Sequence, residues 1–170
     1  MFSFFSVSKV KSLMKRVAFS GMALLILAAA LGSCDSNSGN DANAALQGKW
    51  VGDYDETYII GETTLQYSSG FDDFDYKGNI TSLSTFGSDS GVVIFQYTEL
   101  PKVKADISNI FSAVYYRNLK RDSVQLANVI NLTDYSSVDT ASLEEAAAKF
   151  TRADMGSYVD WSFVQPLRKE

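Results

Sequence analysis

From Leu46 onward, hydrophobic and polar residues alternate with a period of two, in short runs separated by polar clusters. Runs of aromatic and β-branched residues with this period are the mark of strands with one buried face. They cover residues 49–54, 57–60 and 64–68, the last placing Leu65 and Tyr67 on one face, with Gly61-Glu62 turning the chain before it. After a turn at 70–73, Phe74, Tyr76, Gly78, Ile80 and Phe86 share one face of a long segment. The loop 87–91 (GSDSG) leads into 92–100, whose nearly continuous apolar character predicts a central strand stopped by Pro101. Residues 111–119 turn at Lys120-Arg121-Asp122 into a return strand, so 111–131 is the clearest hairpin. A last strand is expected over 158–164, with Val159, Trp161 and Phe163 on one face, before Pro166.

One stretch has the helical period instead. Ser142 and Glu145 form a capping box, and Leu143, Ala146, Ala147 and Phe150 fall on one stripe. So short a helix needs an apolar surface to pack on. The sequence therefore predicts an all-β fold of about eight antiparallel strands, with one short helix before the last strand. Such strands close into an up-and-down barrel that leaves no free edge, and a sandwich is the rival arrangement.

The N-terminal pattern is different in kind. Lys15 and Arg16 precede an apolar run from Val17 to Leu31, which ends in small residues before Cys34. Basic start, short apolar core and small residues make a secretory signal, and the core is shorter than the roughly 20 residues of a spanning helix. A signal anchor that keeps its helix is the alternative. Leu31-Gly32-Ser33-Cys34 resembles the lipobox of exported bacterial lipoproteins. That resemblance implies cleavage before Cys34, acylation of Cys34, and attachment to a cell-envelope membrane, with the outer membrane expected. Met14 begins a complete signal by itself, so residues 1–13 read as an upstream extension. The division expected is thus 1–33 signal peptide, 34–45 acylated cysteine with a polar flexible tether, and 46–170 barrel domain.

Charge and composition narrow the function. All 20 acidic residues follow the expected cut, whereas Lys9, Lys11, Lys15 and Arg16 of the 15 basic residues precede it, so the mature chain is far more acidic than the whole. An acidic surface without a basic stripe argues against nucleic-acid binding. There is no histidine, and Cys34 is the sole cysteine. This removes the Ser-His and Cys-His pairs, histidine-ligated metal sites and any disulfide within the chain. No enzyme activity, cofactor or metal is expected. The acidic runs Asp53-Tyr54-Asp55-Glu56 and Asp72-Asp73-Phe74-Asp75 lack EF-hand spacing and read as solvated turns.

Gly48-Lys49-Trp50 opens the first strand and resembles the Gly-x-Trp signature of lipocalins and wider calycin barrels. The resemblance implies that Trp50 plugs one end of the barrel and that Gly48 admits a close approach of the chain. The mature chain is also similar to small spirochaete lipoproteins of unassigned role. Eight strands enclose room for packed side chains or one small ligand. Tyr58, Tyr67, Tyr76, Phe95, Tyr97, Tyr115, Tyr116 and Phe163 are the pocket candidates, and the same aromatics would serve equally to fill a core. The function expected is non-catalytic binding of a small apolar ligand. The alternative is a surface adhesion or envelope-interaction protein with a filled core.

Overall fold

The period-two runs become strands, and the strands close on themselves. In the computed structural model, which describes residues 38–70, 75–100, 107 and 109–170, a helix α1 (Ser38–Leu46) leads into seven strands. These are β1 (Gly48–Val51), β2 (Thr57–Ile60), β3 (Thr64–Ser68), β4 (Tyr76–Thr85), β5 (Gly91–Glu99), β6 (Phe111–Arg117) and β7 (Ser123–Asn128). Two helices, α2 (Leu143–Lys149) and α3 (Met155–Tyr158), precede the final strand β8 (Leu167–Lys169). Each strand pairs antiparallel with the next, and β8 closes on β1 through Trp50↔Lys169 and Val51↔Arg168. The result is an eight-stranded up-and-down barrel. The motif at Cys34, the signal before it, the acidic residues Asp72 and Asp73, and also Phe74 and Pro101 lie outside the described residues.

Alternation along each strand sends one set of side chains inward. Trp50, Tyr58, Leu65, Val93, Phe95, Val114, Tyr116, Leu126 and Leu167 fill the interior and are almost completely buried. The opposite faces of β5, β6 and β7 are covered by the connection that carries α2 and α3. Val92, Ile94, Ala113 and Tyr115 pack there against Ala146, Phe150 and Val159. Ser142 caps α2 through the Glu145 backbone N–H at 3.1 Å, as the capping box predicts. Ala146 and Phe150 are the buried part of its stripe, while Leu143 and Ala147 are exposed.

At one end α1 closes the barrel. Leu46 is fully buried, and its carbonyl accepts the Trp50 indole N–H at 2.7 Å. The Lys169 ammonium lies 5.0 Å from the Trp50 ring centroid and donates to the Ala45 carbonyl at 3.2 Å. Gly48 has φ +135°, and a β-carbon there would sit 2.6 Å from the Lys169 side chain. Only glycine fits this backbone and this approach together.

Four expectations are corrected. Residues 38–45 are helical rather than a flexible tether. The first strand stops at Val51, because Gly52 N–H bonds to the Glu56 carbonyl at 2.9 Å and turns the hairpin. In β4 the register with β5 slips between Ile80 and Ser82, so the inward face changes parity. Leu83 then joins the interior and Phe86 the outer layer. Residues 158–164 are not a strand. They hold the end of α3 and a turn in which Asp160 accepts from Ser162, and the closing strand comes after Pro166.

Candidate functional site

The barrel wall is thinnest where its last strand is shortest. β8 pairs with β7 only at Ser123↔Arg168 and Val124↔Leu167. Pro166 lacks an N–H and cannot extend the ladder upstream. The chain before it swings outward and is held by the Gln125 side-chain amide, which donates to the Val164 carbonyl at 2.5 Å. The stretch from Gln125 to Asn128 therefore has a strand partner on the β6 side alone. Side chains take up part of what the missing strand leaves: the Asn128 side chain accepts from the Tyr76 hydroxyl at 2.6 Å.

Beside this opening lies a cleft of about 720 Å³, within the size range of small-molecule sites. One wall is the β1–β2 turn with β2 and β3: Tyr54, Glu56, Tyr58 and Tyr67. The facing wall is β7 and the loop after it, with Leu126, Asn128, Ile130, Leu132 and Tyr135. Val159, Asp160, Phe163 and Val164 complete the lining from the outer connection. Three rim aromatics stand in solvent: Tyr54 at 76% exposure, Tyr135 at 75% and Phe163 at 80%. Their loops are tightly built. Asp55 and Tyr135 both adopt positive φ, at 62° and 60°, a conformation costly for side chains other than glycine. Tyr135 N–H is bonded to the Asn131 carbonyl at 2.7 Å.

The cleft is electrostatically one-sided. Among the described residues its lining carries Glu56 and Asp160 and no lysine or arginine. Asp160 accepts from the Ser162 hydroxyl at 2.6 Å and its N–H at 3.0 Å, which holds its carboxyl below the usual carboxylate range. Half-buried Glu56 is pushed above its ordinary value by desolvation. No cation or donor among the described residues pairs with its carboxylate. Burial, reinforced by the charges of Glu56 and Asp75, raises Tyr67 to about 12. Arg117 stacks on Trp161 at 4.3 Å and its Nε–H donates to the Gln125 side-chain oxygen Oε1 at 2.9 Å, so its charge is already engaged behind the lining.

The eight predicted pocket aromatics divide three ways. Tyr58 and Tyr67 line the cleft from the barrel side and Phe163 from the outer side. Tyr76, Phe95, Tyr97 and Tyr116 are packed in the interior. Tyr76 and Phe95 stack with centroids 5.0 Å apart, and Tyr97 meets both edge-on, contacts worth roughly 0.5–1.5 kcal/mol each. Tyr115 faces outward beneath the helices and donates to the Thr151 carbonyl at 2.9 Å. Adjacent in one strand, Tyr115 and Tyr116 cannot share a face. Gly48 and Trp50 sit at the closed end, away from the cleft. The pattern does not single out Tyr54, Glu56, Tyr135 or Asp160 as pocket residues. Asn131-x-Thr133, Asp134-x-Ser136 and Asp160-x-Ser162 do carry a signal, since each proves to be a turn closed by the first side chain on the backbone N–H two residues on.

No protein-family model and no curated protein matches this chain. Among solved structures, the chain is similar to the crystal structure of Treponema pallidum Tp0751 (Pallilysin), at 12% sequence identity over 75% of this chain and 78% of that one, with a TM-score of 0.45.

Proposed function

We propose that this chain is a lipid-anchored, non-catalytic binding protein of the bacterial cell envelope, and that it holds a small, largely apolar ligand. The observation that carries the reading is the aromatic-walled cleft at the opening between β7 and the β1–β2 turn. The ligand belongs there rather than deep in the barrel, because Tyr76, Phe95, Tyr97 and Tyr116 already occupy the interior. Apolar walls supply affinity by burial, at about 25 cal/mol per Å², and the phenols of Tyr58 and Tyr67 supply orientation. The anchor reading rests on the Leu31-Gly32-Ser33-Cys34 motif.

Native mass spectrometry of the full chain extracted from membranes, followed by solvent extraction, tests the binding role. A mass excess beyond polypeptide and acyl groups, with an extractable apolar molecule, is the expected result. A clean mass that added apolar compounds leave unchanged would turn attention to the exposed Tyr54, Tyr135 and Phe163 as a contact surface for a macromolecule, the second reading. Radiolabelled palmitate should enter the native chain, and Cys34→Ser should abolish the label.

A further inference from the structure

We propose that the cleft selects organic cations: a ligand with an apolar body ending in an ammonium group, its charge set beside Glu56 among aromatic faces. This rests on the cleft being a ligand site and specifies what enters it. Five aromatic rings, of Tyr54, Tyr58, Tyr67, Tyr135 and Phe163, line one cavity. An aromatic face presents negative charge density, and an ammonium seated against it is attracted to it electrostatically. Glu56 adds a formal charge that is half-buried and unpaired among the described residues, and Asp160 a second at the rim.

The alternatives fit less well. A fatty acid or other carboxylate would bring a further negative charge to a lining that offers no lysine or arginine. A neutral ligand would strip more water from the Glu56 carboxylate and return nothing. A hard metal ion requires six or more oxygen ligands, and among the described residues no three acidic or metal-ligating side chains come together. An organic cation compensates the buried charge and uses the aromatic walls at the same time.

Calorimetric titration of the full chain in a nonionic detergent with three probes of similar size is the test: benzyltrimethylammonium, benzyl alcohol and phenylacetate. The cation should bind at least about tenfold more tightly than phenylacetate, a difference of about 1.4 kcal/mol. Glu56→Gln should cost the cation about tenfold while leaving benzyl alcohol within about twofold. Glu62→Gln, an exposed turn position away from the cleft, should change neither. Equal or tighter binding of phenylacetate, or cation affinity unmoved by Glu56→Gln, overturns the inference. If benzyl alcohol binds as well as the cation, the cleft stands as an apolar site and its charge selectivity falls. If none of the three binds, both fall.

Discussion

Trp50 and Glu56 lie in neighbouring parts of one hairpin and make opposite contributions. Trp50 is fully buried, hydrogen-bonded to Leu46 and covered by Lys169. Trp50→Ala should remove roughly 3–5 kcal/mol of stability, as for a core aromatic, read from denaturant unfolding; a change near zero would show that α1 and Lys169 close the barrel end without it. Glu56 works against the fold. Its carboxyl titrates above the usual range in the folded state because burial disfavours the charge. Below that range both states are protonated and nothing is lost. As pH rises, the unfolded chain releases this proton first, so the folded state loses stability, and the cost is complete above the raised value. Glu56→Gln should therefore raise the melting temperature at pH 7 and leave it nearly unchanged at pH 3.

At the scale of elements, what alternation can encode was legible and what a single irregularity decides was not. β2, β3, β5, β6 and the capped α2 lie where period and turn residues put them. The slip in β4 is invisible to a period-two reading, because one extra residue at Thr81 reverses the face of everything after it. The apolar residues 158–164 alternate like a strand, yet they cover the outer face of a strand layer, which asks for apolar side chains but no ladder. Pro166 marks the start of β8 rather than the end of a strand, and the cleft exists because of that difference. Sequence identified three of the cleft's aromatics, Tyr58, Tyr67 and Phe163, by composition alone; the loops that complete it are read only from their turn chemistry. Packing inside the barrel is close enough to test at one position. A β-carbon at Gly78 would lie 2.4 Å from the Phe95 ring and 2.8 Å from the Gln96 carbonyl. Gly78→Ala should cost about 1–3 kcal/mol through overpacking, measured by chemical denaturation. A neutral result would mean that the Tyr76–Phe95 stack has room to shift.

For the molecule as a whole, the interior is unusually rich in phenols, and this sets its alkaline limit. Burial raises Tyr58 and Tyr76 well above 10, Tyr116 to about 12, and Tyr97 and Tyr115 as well. Below pH 10 these groups are neutral in both states. Above it the unfolded chain ionises while the folded chain does not, so stability falls steeply. Phenolate absorbance and loss of tertiary signal should rise together in one transition; ionisation of most tyrosines before unfolding would contradict their burial. The barrel also has two unlike ends: α1, Gly48 and Lys169 close one, and Tyr54 and the cleft lie toward the other. Three residues separate Cys34 from the start of α1 at Ser38, so the four Cα-to-Cα steps between them reach at most about 14 Å even when fully extended. With acyl chains on Cys34, that short leash would keep the closed end nearer the bilayer than the aromatic mouth. The cleft would then open first to what arrives from the aqueous side rather than to the leaflet beneath it.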